Sequence, residues 1–341
     1  MPQVAFSTEH RTDTLFRQTP GGLGTWQDWQ FRIADTSLEE DWLVVFDDLR
    51  TPVETNLPKA RRALVVSEPP GIRTYRPGFL NQFGLLLSPM AISGFSGLHA
   101  ATDVGLPWFI GLDMSDAAGA RSRWTFEEIR DLPMGEKQHA LSAVISTKTL
   151  LPRHRRRLEF VRALAERMGP DFRLFGRGFT EIRDKADVIL PFSHHLVIEN
   201  NVEENFFTEK LCDAYLGWSL PIFSGCADIE RHFPAGSLIR FDLEAPDALE
   251  RVVAGFAAPI DAARRAAMAE ARNRVLYRAN LFARLSEVLG RHAGPIGARI
   301  RTRVHPNSAF PLLLTRLSSG WRRMRRSLLE REPTRLNQSG R

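Results

Sequence analysis

Short apolar runs alternate with polar and helix-like stretches along the N-terminal half of the chain. The runs lie at residues 4–6, 42–46, 63–66 and 84–87, and each is followed by polar, Gly or Pro residues. Runs of this length, bounded by turn-forming residues, are typical of buried strands. Helical signals lie between them, as at residues 37–40. The pattern predicts an α/β domain.

The alternation is most regular in the C-terminal half, between residues 196 and 242. The apolar run 196–198 leads into the polar pair Glu199 and Asn200, and an apolar segment with helical spacing begins after Thr208. Threonine is a favoured N-cap, because its side-chain oxygen accepts a hydrogen bond from a free backbone N–H of the first turn. A second apolar run, 220–223, and a further short helix follow. The order strand, helix, strand, helix is typical of a parallel sheet.

Polar residues of this unit lie where an open parallel sheet binds its ligand. Asn200 ends the first strand, Glu209 and Lys210 begin the helix, and Gly225 follows the second strand. Helix N-termini at this edge present free N–H groups and a partial positive charge to an anion. A lysine there suits a phosphate, and a glutamate suits the paired hydroxyls of a ribose. The alternative is that Glu209 and Lys210 are only solvated residues of a helix start.

Residues 61–89 contain the candidate catalytic group of the N-terminal half. The apolar run 63–66 delivers Ser67 and Glu68 to the carboxyl end of a strand, and the Pro-Pro-Gly sequence at 69–71 predicts an irregular loop. An acid facing an interdomain cleft there suits general-base chemistry, because partial desolvation raises a carboxyl pKa toward the working pH. The alternative is a loop carboxylate paired with Arg73 or Arg76.

The remaining segments complete a division into three parts, 1–135, 136–290 and 291–341. Residues 107–133 approach the domain junction, where their aromatic side chains either stack on a sugar or pack in the core. Strands are predicted at 139–146 and 172–178, and an Arg-rich helix at 153–167. His194 and His195 precede the strand at 196 without metal-ligand partners at a known spacing, so a structural role is expected. Residues 245–290 read as helical throughout.

Length and composition are those of a globular protein of two domains. With 341 residues, 43% hydrophobic and 25% charged, the chain is ordinary for that class. No apolar stretch approaches a membrane span, and residues 1–13 lack the pattern of a signal peptide, so a cytoplasmic location is expected. Cys212 and Cys226 show neither a metal-ligand spacing nor a disulfide framework, and we expect packed thiols.

The positive charge of the chain is concentrated at its C-terminal end. The net charge is +6, whereas residues 291–341 alone carry +10, so residues 1–290 carry −4. Residues 311–329 place apolar side chains on one helical face and most arginines elsewhere, a pattern typical of helices on an anionic bilayer surface. A helix docked on the protein's own surface is the alternative. Nucleic-acid binding is not favoured, because no binding motif or interleaved aromatic residues accompany the arginines.

The series of motifs between residues 199 and 239 resembles the donor-binding region of the α-1,3/1,4-fucosyltransferases, glycosyltransferase family 10, of bacterial type. That family shows Glu-Asn, a short spacer, Thr-Glu-Lys, an apolar helix, a Pro-containing strand ending in Gly, a Glu-Arg helix, Pro and Ser-Phe-Ile. The matching residues here are Glu199-Asn200, Thr208-Glu209-Lys210, Leu220 to Gly225, Glu230-Arg231, Pro234 and Ser237-Leu238-Ile239. The resemblance covers about residues 60–285.

This resemblance implies a GT-B fold, in which two Rossmann-like domains face each other across a cleft. It also implies inverting transfer of fucose from GDP-fucose to a hydroxyl of a glycan acceptor, with Glu68 as the catalytic base. Arg157 stands seven residues before Leu164, as in the family, and would bind the donor diphosphate together with Lys210. Arg155 and Arg156 are close enough in sequence to remain alternatives to Arg157.

The remaining donor-binding residues follow from the same resemblance. Glu209 would hold the ribose, Asn200 the nucleotide end or a phosphate, and Gly225 completes the donor-binding set. The chain has no Asp-x-Asp motif, and two cationic side chains can replace a divalent ion, so neither a cofactor nor a catalytic metal is expected. The expected partners are the GDP-sugar and the glycan acceptor, in glycan biosynthesis or protein glycosylation.

Two departures from the family pattern keep other functions open. Phe206 stands where the family often has an aromatic residue with a hydroxyl group, and the turn after Gly225 is shorter, with Cys226 and Ala227. The alternatives are a transferase that uses a different nucleotide-sugar, and a catalytically silent glycan-binding protein with the same fold.

Overall fold

The computed structural model describes residues 1–311 except 11, 13, 35–38, 69–71, 114, 116–118, 148 and 150–151. The strands are β1 (Gln3–Thr8), β2 (Thr25–Trp26), β3 (Trp29–Ile33), β4 (Trp42–Phe46), β5 (Val53–Thr55), β6 (Arg62–Val65), β7 (Leu85–Ser88), β8 (Leu98–Ala101), β9 (Leu112–Asp113), β10 (Arg121–Ser122), β11 (Gln138–Val144), β12 (Phe172–Phe175), β13 (Phe192–Ile198), β14 (Leu220–Ser224), β15 (Ile239–Arg240) and β16 (Thr302–Val304). The helices are α1 (Pro77–Leu80), α2 (Phe126–Arg130), α3 (Pro152–Met168), α4 (Ala186–Ile189), α5 (Glu209–Leu216), α6 (Ile229–His232), α7 (Ala248–Ala257), α8 (Ala262–Tyr277) and α9 (Leu281–Arg291).

The N-terminal domain is built on a seven-stranded sheet with the order β2-β3-β1-β4-β6-β7-β8. All its neighbouring strands are parallel except the β2–β3 hairpin at one edge. The four strands predicted from apolar runs are confirmed as β1, β4, β6 and β7, and all five residues of β4 are buried. Strands buried on both faces read as continuous apolar runs, which is why the sequence reveals them.

Late parts of the chain pack against this domain. The ring of Phe282 on α9 lies 5.0 Å from that of Phe31 on β3, and β16 pairs with β5. Of the helical segment predicted at 37–40, Ser37 and Leu38 lie outside the described residues, and Glu39 and Glu40 are not helical. The strand β16 lies within the range 291–341, whereas residues 312–329 of the predicted amphipathic helix lie outside the described residues.

The C-terminal domain has a five-stranded parallel sheet with the order β12-β11-β13-β14-β15. Residues that alternate along β13 face opposite cores: Leu196 and Ile198 pack with α3 and α7, and Val197 packs with α5. The prediction that β13 begins at residue 196 is wrong, because the strand begins at Phe192 and contains His194 and His195. Residues 245–290 are three helices rather than one continuous helical stretch, separated near Pro259 and Asn280.

Buried polar contacts join the two domains through residues 107–111. Asp213 on α5 is fully buried and accepts hydrogen bonds from the backbone N–H groups of Phe109 (2.9 Å) and Ile110 (3.0 Å). Arg17 donates to the carbonyl oxygens of Trp108 (2.6 Å) and Ile110 (2.8 Å). The chain is thus the expected α/β structure of two domains that face each other across a cleft. In the described part of the chain, no helix has both the length and the apolar character needed to cross a bilayer.

Candidate active site

A cavity of about 580 Å³ lies between the carboxyl edges of the two large sheets. Both domains contribute polar side chains to its walls, and aromatic side chains also line it. The polar lining residues include Thr8, His10, Asp47, Ser67, Glu68, Asn200, Thr208, Glu209 and Lys210. Glu68 and Lys210, which sequence analysis placed in different halves of the chain, therefore face one cavity.

The order of strands brings three titratable residues together on the N-terminal wall. His10 follows β1, Asp47 follows β4 and Glu68 follows β6. The strands β1, β4 and β6 are parallel neighbours, so their carboxyl ends meet at the same edge of the sheet. Sequence analysis proposed Glu68 and missed His10 and Asp47. Asp47 could have been recognised in the sequence as an acidic residue that directly follows the most apolar strand of the domain.

Asp47 organises this wall. Its side chain is 1% exposed and accepts hydrogen bonds from the Ser67 N–H (2.8 Å), the Ser67 hydroxyl (2.6 Å) and the Tyr75 hydroxyl (3.1 Å). The same carboxylate lies 3.0 Å from Nε2 of His10. Asp47 has a φ of +60°, an uncommon conformation for a residue other than glycine. These contacts fix the start of the turn that carries Glu68.

The environment of Glu68 makes its carboxylate a stronger base than that of an exposed glutamate. Burial raises the pKa of its carboxyl group, the negative charge of Asp47 raises it further, and Lys210 opposes the shift. Arg73 pairs instead with Glu9 and lies 3.7 Å from Asp48, and Arg76 donates to backbone carbonyls near residue 308. The alternative of an ordinary carboxylate paired with either arginine is therefore not favoured. Residues 69–71 of the predicted irregular loop lie outside the described residues.

On the C-terminal wall, a buried glutamate anchors the start of α5. The predicted N-cap is confirmed, since the Thr208 side chain accepts a hydrogen bond from the Lys210 N–H. Glu199 is 0% exposed and accepts hydrogen bonds from the N–H (2.8 Å) and hydroxyl (2.9 Å) of Thr208. A Cβ atom on Gly225 would lie 2.7 Å from Cγ of Glu199, so glycine there leaves room for the anchor. Gly225 is not among the described residues that line the cavity.

Lys210 lies between two carboxylates at the N-terminus of α5. Its Nζ atom is 3.4 Å from Glu199 and 3.4 Å from Glu209, and Glu209 is also 3.6 Å from Lys185. Burial raises the pKa of Glu209, but Lys210 and Lys185 outweigh it and lower that pKa to about 2. Burial lowers the pKa of Lys210, and Glu199 and Glu209 outweigh it and raise it. Both side chains are therefore charged at neutral pH.

Arg157 reaches the cavity through another residue. Its side chain is 6% exposed and donates to Oδ1 of Asn200 at 2.9 Å, and Asn200 lines the cavity. Arg155 is exposed and Arg156 lies 3.8 Å from Glu244, so the structure favours Arg157 over both. Sequence analysis missed Arg153, one turn earlier on the same face of α3.

Arg153 connects α3 to β13 and β14, which are neighbouring strands of the C-terminal sheet. It donates to the carbonyl oxygen of Glu199 (3.0 Å) and to the hydroxyl of Ser224 (3.1 Å). These contacts hold the ends of β13 and β14 together. Burial lowers the pKa of both Arg153 and Arg157, but an arginine keeps its charge at any physiological pH.

The aromatic and histidine predictions have clear outcomes. Trp108 is fully buried in the core, whereas Phe109 is 38% exposed and lines the cavity, as does Phe206. His194 and His195 are buried in β13, where burial lowers their pKa values to about 4 and about 3. Their structural role is confirmed.

Comparison with known proteins gives a family for part of the chain. Residues 134–254 match the family profile described as glycosyltransferase family 10 (fucosyltransferase), C-terminal part. No curated protein sequence matches the chain.

Several solved structures are similar to the chain at low identity. The structure of an α1,3-fucosyltransferase with GDP-fucose has 13% identity and a TM-score of 0.48, covering 86% of this chain and 91% of that chain. The α1,3-fucosyltransferase with GDP has 14% identity, the same coverage and a TM-score of 0.49. A UDP-forming trehalose-phosphate synthase from Burkholderia xenovorans has 10% identity and a TM-score of 0.41, covering 74% of this chain and 73% of that chain.

Proposed function

Taking as premise that residues 134–254 form the C-terminal part of a family 10 glycosyltransferase, we propose that the protein transfers fucose from GDP-fucose to a hydroxyl of a glycan acceptor, with inversion. The observation that supports this most is that one cavity has a carboxylate of raised pKa on one wall and Lys210 at a helix N-terminus on the other. The first group suits an acceptor hydroxyl, and the second suits a departing diphosphate.

Glu68 acts as the general base in this proposal. Its carboxylate takes the proton of the acceptor hydroxyl as the oxygen attacks the anomeric carbon of fucose from the face opposite the diphosphate. One C–O bond forms, the bond between the anomeric carbon and the diphosphate oxygen breaks, and GDP leaves with the bonding electrons. The raised pKa makes this carboxylate a stronger base than an exposed glutamate, and a stronger base takes the proton of the hydroxyl more efficiently.

Positive charge near the N-terminus of α5 stabilises the leaving diphosphate. Lys210 lines the cavity, and Arg157 is positioned behind Asn200, so both supply charge where negative charge develops. The free N–H groups of the first turn of α5 add to this. We infer that these groups replace a divalent ion and that transfer needs no catalytic metal.

Glu209 and Asn200 orient the nucleotide end of the donor in the same proposal. Glu209 lines the cavity as a charged carboxylate, which suits two hydrogen bonds from ribose hydroxyls. Asn200 offers an amide N–H₂ to the nucleotide or a phosphate, since its Oδ1 already accepts from Arg157. Phe109 and Phe206 supply apolar surface to the same cavity.

Thermal unfolding with nucleotides tests the donor class. A ligand that binds only the native state raises the melting temperature by mass action. We expect GDP to raise it and UDP at the same concentration to leave it almost unchanged. A larger shift with UDP would reject the GDP site, and turnover of a panel of labelled nucleotide-sugars then identifies the sugar.

The basic C-terminal end supports a further part of the proposal, a cytoplasmic enzyme that contacts an anionic membrane surface. Residues 312–341 contain eight arginines and two glutamates, and the apolar positions among residues 311–329 fall on one helical face. Cosedimentation with vesicles tests this: the full chain should bind vesicles rich in phosphatidylglycerol in low salt and release from them in high salt. Equal binding by a chain ending at residue 311 would reject a role for the tail.

A further inference from the structure

Three potential metal ligands meet in the C-terminal domain, and none of them is among the described residues that line the cavity. Cys226 and Asp228 follow β14, and His232 ends α6, which begins directly after Asp228. The Sγ of Cys226, a carboxylate oxygen of Asp228 and a ring nitrogen of His232 all lie within 4.8 Å of one another. Cys226 is completely buried.

Two of these ligand atoms are buried and make no hydrogen bond within the described part of the chain. Oδ1 of Asp228 accepts hydrogen bonds from the Asn205 N–H (2.7 Å) and the Cys226 thiol (3.1 Å). Nη1 of the exposed Arg231 lies 3.6 Å from Oδ2 of the same carboxylate, whose side chain is 9% exposed. Neither this Oδ2 nor Nε2 of His232 has a hydrogen-bond partner in the described part of the chain. These two atoms lie 3.6 Å apart. Buried polar atoms without hydrogen bonds are costly, so this close pair is a candidate for binding a further ligand.

The opposite edge of the histidine ring faces a buried carboxylate, at a distance longer than a hydrogen bond. Nδ1 of His232 lies 3.9 Å from Oδ2 of Asp103, a carboxylate that is 2% exposed. Arg284 holds this carboxylate in place at 2.6 Å. A histidine that binds a metal through one nitrogen commonly has a carboxylate behind the other, which orients the ring. The arrangement favours Nε2 as the nitrogen left for an ion.

We propose that Cys226, Asp228 and His232 bind one Zn²⁺ ion, with water as the fourth ligand. A thiolate, an imidazole and a carboxylate oxygen are the ligands that Zn²⁺ takes in proteins. Bonds of about 2.0–2.3 Å in a tetrahedron separate ligand atoms by roughly 3.3–3.8 Å, so the observed cluster needs only small side-chain movements. Binding releases the thiol proton of Cys226 to solvent.

The ion would stabilise the loop between β13 and α5. Asn205 in this loop donates to Asp228, the Ala227 N–H donates to the carbonyl of Val202 (3.1 Å), and the ring of Phe207 lies 5.0 Å from that of His232. The loop includes Asn200 and Phe206, and both line the cavity. One Zn²⁺ ion bound beside the loop would therefore hold these two residues in place.

Cobalt titration of the full chain, purified with a tag that lacks histidine and treated with chelator, tests the site. We expect one Co²⁺ per chain, a thiolate-to-cobalt absorption band, and loss of that band when Zn²⁺ is added. Cys212→Ala removes the other buried thiol and should keep the band. Cys226→Ala should abolish the band, and His232→Gln should weaken Co²⁺ binding about 10-fold or more. Circular dichroism shows whether each variant is folded.

Two results would overturn the site. One is a folded wild-type chain that gives no band in excess Co²⁺, and the other is a band that persists in Cys226→Ala. As a second readout, Zn²⁺ at about a hundredfold excess over its dissociation constant should raise the melting temperature of the wild type by roughly 5 °C, and that of Cys226→Ala not at all.

The zinc site and the donor site can fail separately. The proposed ligands are not among the described residues that line the donor cavity, so the GDP-induced shift of the melting temperature reports on a different set of contacts. A chain that responds to GDP but not to Co²⁺ would reject the zinc site alone. A chain that responds to Co²⁺ but not to GDP would reject the donor proposal alone.

Discussion

The two walls of the cavity are built from the sequence in different ways. On the donor wall, which is the C-terminal wall of the cavity, the residues from Glu199 to Gly225 come from one strand–helix–strand unit, and Glu199 anchors Thr208 only nine positions later. On the acceptor wall, His10, Asp47 and Glu68 come from three strands that are far apart in the chain. A local motif can be recognised as a string of residues. The residues of the acceptor wall, which is the N-terminal wall of the cavity, come together only when β1, β4 and β6 are neighbours in the sheet.

The largest effect should come from Glu68→Gln on the acceptor wall. Without a base, transfer should fall about 10²- to 10⁴-fold, because the acceptor proton has no acceptor group. The GDP-induced shift of the melting temperature should stay unchanged, since Glu68 is not proposed to bind the nucleotide. Steady-state rates with GDP-fucose measure the loss, and Glu166→Gln, an exposed residue on α3, serves as the matched control. Retained activity in Glu68→Gln would remove the proposed base.

Lys210→Ala on the donor wall should have the next largest effect and a different signature. Loss of its charge should lower the transfer rate about 10²- to 10³-fold, because the departing diphosphate is less well stabilised. Here the GDP-induced shift should shrink as well, and the contrast with Glu68→Gln separates the two walls. The control is Arg155→Ala, which removes the charge of an exposed arginine. Lys137→Ala is unsuitable as a control, because Nζ of Lys137 donates hydrogen bonds to backbone carbonyl oxygens. An unchanged GDP response in Lys210→Ala would contradict the assignment.

Asp47→Asn should change the pH profile more than the maximal rate. The negative charge of Asp47 raises the pKa of Glu68, so its removal lowers that pKa. A base must be deprotonated to act, and activity falls as the pH drops through its pKa. The acidic limb of kcat/KM should therefore move to lower pH in the variant. A limb that stays in place or moves upward would show that Asp47 does not act on Glu68.

The smallest effect should come from Gly225→Ala, which tests the anchor of the donor wall. The new Cβ would meet the Glu199 side chain, and overpacking of this kind typically costs about 1–3 kcal/mol of unfolding free energy. Urea unfolding measures the loss, and the GDP response should weaken because Thr208 and Lys210 depend on Glu199. Gly294→Ala, where a Cβ meets nothing within 4 Å, is the matched control. Equal stability of the two variants would mean that Glu199 can move aside freely.

Contacts between residues close in sequence were largely predictable, and contacts that depend on strand order were not. The N-cap at Thr208 and the buried strands β4 and β14 follow from residue types and short-range spacing. The start of β13 was missed because His194 and His195 interrupt an apolar pattern, although both are buried in the sheet.

The roles of Asp47 and Glu199 illustrate the same limit. Asp47 acts through Ser67 and Tyr75, which reach it only when β4 and β6 are side by side. Glu199 reads as half of a polar pair, yet its side chain turns inward against Gly225, a direction that depends on β13 and β14 being neighbours. Tertiary arrangement decides both, so the sequence alone indicates Glu199 without its partners and does not indicate Asp47.

Turnover of labelled GDP-fucose by the wild type and by Glu68→Gln, with a panel of glycan acceptors and UDP-sugars in parallel, tests the central claim most directly. The account predicts that the wild type releases GDP and forms a fucosylated product, while Glu68→Gln still responds to GDP in thermal unfolding but transfers at a rate lower by about 10²-fold or more. Transfer from a UDP-sugar in place of GDP-fucose, or full activity in Glu68→Gln, would contradict it.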